Sequence, residues 1–219
     1  MKKSIKGFII HTGDSIGFSL VKMLSLQIFI FLVFSLTFIF LELLEGENGS
    51  GRAIFIYMGM LFCSIIPIAI TLLGSVSIDK SFPGMKFFRT VTDSFECYKG
   101  LITVRNVLCI VSNLIFMVIG IIAGYIFIPE FQLAAVLNLG VFSCLSVSVT
   151  LLVCTIRIEW LRAILTMIIQ ISITLGGFLL GMVAGDIYYA APIALLLGIV
   201  ILPLSLKRYF KKIKPLWKA

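Results

Sequence analysis

Few side chains in this sequence can do acid–base, nucleophilic or metal chemistry, and their placement argues against all three. The single histidine, His11, stands in a polar break, His11-Thr12-Gly13-Asp14, near the start of the chain. That is the setting of a solvated imidazole. The five cysteines, Cys63, Cys97, Cys109, Cys144 and Cys154, include no pair at the close spacing of a zinc or redox motif. Inside an apolar run a free cysteine behaves as a small hydrophobe. No glycine-rich phosphate loop of the G-x-x-x-x-G-K-[ST] type occurs. The chain is therefore expected to be no enzyme and to hold no cofactor. If it uses ATP and Mg, a partner must bind them. No Asp, Glu, Lys, Arg or His falls in the middle of any long apolar stretch. Intramembrane ionisable groups mark proton relays and ion paths, so a proton-coupled carrier and an intramembrane metalloprotease are both disfavoured.

The neutral polar residues are more informative. Gln170, Thr174, Gly177 and Gly181 recur at i, i+4, i+7 and i+11, within one narrow helical face. Gly177/Gly181 and Gly181/Gly185 are both GxxxG pairs. Asn106, Asn113, Gly120 and Gly124 form a second stripe. Small residues let helix backbones approach closely in lipid, and polar ones hydrogen-bond across the contact. Two readings stay open for these stripes: packing inside one subunit, or a dimer seam and translocation path. Pro67, Thr71 and Gly74 share a face that would accommodate a bend.

The elements that carry these residues follow from composition. Of 219 residues 60% are apolar and 13% charged, about half the ~25% of soluble domains. Mean hydropathy is +1.16. A spanning helix needs about 20 apolar residues, and six stretches qualify: 23–41, 54–78, 104–128, 131–156, 160–184 and 187–206. Runs this long cannot be strands facing lipid, and the alternation of an outer-membrane barrel is absent. The expected fold is an all-α polytopic membrane protein forming a single transmembrane domain over 1–219. Residues 1–20 would form an amphipathic N-terminal interfacial helix. Residues 79–103 would form a cytoplasmic loop with a short helix between spans two and three, and 207–219 a basic tail. The start, Met1-Lys2-Lys3-Ser4-Ile5-Lys6, is basic like a signal peptide, but its apolar run is short, so it reads as retained.

The net charge of +8 belongs to the membrane, not to a nucleic-acid partner. With a cytoplasmic N-terminus, seventeen of the eighteen basic residues fall inside and only Arg52 outside. Such an excess of cytoplasmic Lys and Arg sets membrane orientation. Both termini are expected in the cytoplasm. Glu42, Glu45, Glu47, Glu130 and Asp186 then lie outside. Tyr57, Tyr125, Tyr188 and Tyr189 fit an outer aromatic belt, with Trp160 and Tyr209 on the inner side.

The loop after the second span is the remaining feature. Ser81 can cap a helix whose first turn holds Pro83. Phe82, Met85, Phe88 and Phe87 supply its apolar side. Asp93-Ser94-Phe95-Glu96 has capping-box spacing and would open a cytoplasmic extension of the third span. On pattern alone the short helix either lies on headgroups or docks a cytoplasmic protein.

This plan resembles the membrane-spanning (permease) subunit of ABC-2-type (type V) bacterial exporters. The six spans, the internal termini, the basic amphipathic start and the Lys80–Glu96 stretch carry the likeness. That stretch is most similar to the small permeases of phenol-soluble-modulin-type peptide exporters. The plan covers the whole chain, whereas the loop motif covers about twenty residues. The resemblance implies a homodimer in the bacterial cytoplasmic membrane, with two copies of a cytoplasmic ABC ATPase that binds ATP and Mg. It makes Pro83 to Thr92 the coupling helix, with Pro83, Met85, Phe87, Phe88, Arg89 and Thr92 at the ATPase. It also implies a translocation path between subunits, to which Gln170, Thr174, Gly177, Gly181, Asn106 and Asn113 are assigned. Larger members carry a substantial segment between the last two spans; here only Ala184-Gly185-Asp186-Ile187 intervenes. The mostly apolar spans suit an amphipathic peptide, a lipid or a hydrophobic drug. A different class, a non-transporting immunity or sensor subunit or the capture component of an uptake complex, fits the same spans without an ATPase.

Overall fold

The computed structural model of the chain describes residues 9, 12–45, 57–65, 94–128, 131–153, 156, 158–183 and 190–218. Those residues are helical, with short connections and no strand among them. The helices are α1 (Ile16–Glu45), α2 (57–65), α3 (Ser94–Phe127), α4 (Leu133–Val153), α5 (Glu159–Val183) and α6 (Ala190–Lys218). Five of them, all but α2, contain stretches long and apolar enough to cross a membrane. The chain is thus an α-helical multi-pass membrane protein. Of the second expected span, 54–78, only 57–65 lies within the described residues, and it is helical. Of the expected 79–103 loop, residues 79–93 lie outside them, Pro83 to Thr92 included, and 94–103 are helical; Pro67, Thr71 and Gly74 also lie outside.

The N-terminal boundary differs from the sequence expectation. Residues 16–20, expected within the amphipathic segment, belong to the helix of the first span, and residues 1–8, 10 and 11 lie outside the described residues. Gly13 takes a positive φ of 71°, a conformation open to glycine because it lacks a Cβ. Ser15 Oγ then accepts a hydrogen bond from the Phe18 amide at 3.2 Å, satisfying one of the free donors of a helix start. From Ile16 one helix runs unbroken through the first apolar stretch. Lys22 reaches back to Asp14 at 2.7 Å and lies over the Phe18 ring. The helix that holds the expected 104–128 span is described from Ser94 onward and so includes an extension before that span.

α4 is the hub. α3, α5 and α6 each pack along it, and α1 leans on α3. α5 and α6 flank α4 without substantial contact with each other. The cause lies in the α4 sequence: Ala134, Ala135, Gly140, Ser143, Ser146 and Ser148 put small side chains all round the helix, so three neighbours approach closely. α1 sits at the other extreme, with Phe18, Phe29, Leu36 and Phe40 exposed. In a bilayer that surface meets lipid or another chain.

Two apolar clusters hold the ends together. Tyr57, Met60, Leu139 and Phe178 join α2, α4 and α5 at one end. There the Tyr57 hydroxyl accepts the Gln132 amide at 2.9 Å, fixing the turn between α3 and α4. At the opposite end Tyr98, Ile102, Val147 and Tyr209 join α3, α4 and α6. The Tyr98 and Tyr209 hydroxyls meet there at 2.7 Å, buried.

Candidate functional site

Two buried polar systems run through the helices, on different sides of α4. The first is a node of side-chain hydrogen bonds. Gln27 of α1 donates from Nε2 to Asn113 Oδ1 at 2.9 Å and to the Cys63 carbonyl at 3.2 Å. Asn113 Nδ2 donates to Ser143 Oγ at 3.3 Å and lies 3.5 Å from the Ser64 carbonyl. Ser143 Oγ in turn donates to the Gly140 carbonyl at 2.7 Å, and Cys63 Sγ to the Gln27 carbonyl at 3.2 Å. Four helices are stitched together at one level. In lipid the alternative to such bonds is an unsatisfied amide, which costs several kcal/mol. The node therefore fixes register, and within it only Gln27 Oε1 is left without a hydrogen-bond partner.

The second system is the seam between α4 and α5. Arg162, Thr166, Gln170 and Thr174 follow one another at four-residue steps along α5, and none is more than 4% exposed. Gln170 Nε2 reaches Thr150 Oγ1 of α4 at 3.5 Å. Beyond that bond the polar atoms are under-used. Gln170 Oε1, Thr166 Oγ1 and Thr174 Oγ1 have no hydrogen-bond partner, and neither amide atom of Asn138 on α4 has one. Farther along the seam the chemistry changes abruptly. Gly177 lies against the Phe142 ring, and Gly181 lies on the α4 backbone. A Cβ at Gly181 would stand 2.5 Å from Ala135 Cα and 2.7 Å from the Ala134 carbonyl oxygen. The seam thus has a polar, under-satisfied half toward Arg162 and a sealed half toward Gly181.

Gln170, Thr174, Gly177 and Gly181 therefore do share one face, and the neighbour that fills it is α4 of the same chain. Of the two readings of the stripe, packing within one subunit is the contact present. Asn113 belongs to the first node. Asn106 is not gathered with the others: its Nδ2 donates to the Ile102 carbonyl at 2.8 Å within its own helix. Gly120 faces Met60. Gln27, Ser143, Asn138, Thr166 and the buried Arg162 were not singled out from the sequence. Their signal was a polar residue inside an apolar run, which identifies a non-lipid face but not which helix supplies the partner.

Among the described residues no three His, Cys, Asp or Glu side chains gather as a metal site. Cys63, Cys109 and Cys144 are buried and Cys97 is half-buried, and none of the four is in a disulfide. No known family, curated protein or solved structure matches the chain.

Proposed function

We propose that this chain is the membrane-spanning subunit of an ATP-driven exporter. It would carry an amphipathic or hydrophobic substrate, a peptide above all, out across the bacterial cytoplasmic membrane. Two copies would assemble with two separate ATPase subunits, each docked on Pro83–Thr92. The observation that carries the reading is the two-part α4–α5 seam. A seam built only for stability would either pair its buried hydroxyls and amides or dispense with them, because an unpaired buried polar group costs about 1–3 kcal/mol. Here Thr166, Gln170 and Thr174 keep acceptors free. With Arg162 on the cytoplasmic side, as the basic asymmetry orders it, the under-satisfied half faces the cell interior and the glycine-sealed half faces outward. That is a seam ready to take up polar groups from the inside and closed by backbone contact at the far end. The apolar surroundings suit the rest of an amphipathic cargo. The resemblance of the 80–96 loop to a coupling helix supplies the energy source.

The test is ATP-dependent uptake of a fluorescent amphipathic helical peptide into inverted membrane vesicles. These vesicles would carry the full chain together with an ATPase encoded beside it. Phe and Arg are typical interface anchors, where truncation costs about 2 kcal/mol or more. Replacing both Phe87 and Arg89 by Ala should abolish uptake and release the ATPase while leaving the permease inserted. Uptake and association unchanged by the double replacement would remove the coupling assignment. Absence of uptake with every such ATPase would remove the exporter reading.

A further inference from the structure

A recess on another side of α4 has a different chemistry from the α4–α5 seam. α3 and α6 both pack on α4, but they are joined mainly at the Tyr98–Tyr209 end. Away from that end they leave a groove of about 260 Å³ floored by α4. Its walls come from Val107 and Val111 on α3, Cys144 and Leu145 on α4, and Gly198 and Ile199 on α6, among others. The polar atoms in the lining are already used. Ser148 Oγ donates to the Gly198 carbonyl at 3.3 Å, and Cys144 Sγ to the Ile110 carbonyl at 3.8 Å. Nothing in the groove asks for water or for a polar ligand. Val107 and Ile199 form its lips and are themselves 44% and 61% exposed, so the groove opens sideways to the hydrocarbon. An apolar cavity of 150 Å³ holds benzene, so a groove of 260 Å³ takes about ten carbons.

We propose that this groove is a binding site for one acyl chain of an anionic phospholipid. The chain is specified by the walls, and the headgroup by charge. α6 continues without interruption past the groove into Lys207, Arg208, Lys211, Lys212 and Lys214. Lys207 and Lys214 follow Ile199 by eight and fifteen residues, within about a quarter turn of its azimuth. They stand about 12 and 22 Å farther along the axis, toward the Tyr98–Tyr209 end. A lipid seated in the groove has its phosphate within reach of these two ammonium groups. The inference does not depend on the transport reading: it concerns a groove between α3, α4 and α6, whereas the proposed path is the α4–α5 seam.

The site is tested with the full chain in vesicles containing phosphatidylglycerol that carries a diazirine in the middle of one acyl chain. Adducts are mapped by mass spectrometry after illumination. Adducts should concentrate on the α3 and α6 peptides that hold Val107 and Ile199, above Leu36, a lipid-facing residue of α1. Gly198→Leu should remove them. A Cβ at Gly198 meets Leu145 Cα at 3.7 Å, an ordinary contact, so the added carbons fill the groove without splitting the helices. Val107→Phe, at the other lip, should act likewise, and unchanged labelling at Leu36 certifies insertion of both variants. Diazirine phosphatidylcholine should label the groove about fivefold less, roughly what one Lys near an anionic surface contributes. Groove labelling no higher than at Leu36, or unaffected by both fillings, overturns the site. Equal labelling by the two lipids overturns the headgroup assignment.

Discussion

At the scale of single residues, Gln170 and Asn113 show how differently two buried amides can be placed. Asn113 uses both ends of its amide, toward Gln27 and Ser143, so removing either partner strands the other. Hydrogen bonds between membrane helices are worth about 0.6 kcal/mol on average, and up to about 1.7. Asn113→Leu alone should destabilise the chain by about 1–2 kcal/mol in a detergent unfolding titration. Adding Gln27→Leu should cost less than the sum of the two single changes; full additivity would show that the node is not a unit. Gln170 is the reverse case. Its Oε1 has no partner, so Gln170→Leu should leave stability unchanged or raise it by about 0.5–1 kcal/mol. If the seam carries cargo, the same change should cut peptide uptake at least about tenfold, the equivalent of ~1.4 kcal/mol. Loss of stability without loss of uptake would assign Gln170 to packing. The Gln170–Gly181 stripe was legible in the sequence because a helix maps period to face. The Gln27–Asn113 bond was not, because it joins residues 86 positions apart, and the relative height of two helices is set by packing and not by either helix's own pattern.

At the scale of elements, apolar length was the readable quantity. Stretches of about 20 residues became helices because lipid leaves the backbone no other partner. Helix ends were read less well. α1 starts at Ile16 because Gly13 and Ser15 make a local break there. The role of α4 as hub was also missed. Its serines and alanines look unremarkable one at a time, and only three neighbours packed on one helix reveal their use. The glycine contact between α4 and α5 gives a sharp test. At Gly181 even a methyl group meets backbone, which cannot rotate away. Gly181→Ala should destabilise by about 1–3 kcal/mol, the usual cost of overpacking. Gly176→Ala, one helical position from Gly177 but with nothing within 4 Å, should be neutral or slightly stabilising through helix propensity. Equal effects at the two positions would mean that α5 is turned differently on α4.

At the scale of the whole molecule, orientation is the property that charge predicts and that helix packing alone does not assign. An impermeant maleimide applied to intact cells should label Asn48→Cys and spare Lys212→Cys, each built in a chain otherwise free of cysteine. Inverted vesicles should exchange the two results, and the opposite pattern would turn the polar half of the seam outward and reverse the proposed direction of transport. The Tyr98–Tyr209 contact bears on how such a molecule handles force. It fastens the base of α3 to α6 at 2.7 Å, while α5 has no comparable tie to α6. A load applied at Ser94, the first described residue of α3, is therefore shared at once with the basic end of α6. It reaches α5, the helix that carries Gln170 and Gly181, by another route: through the long α4–α5 contact and through the Tyr57–Phe178 pair.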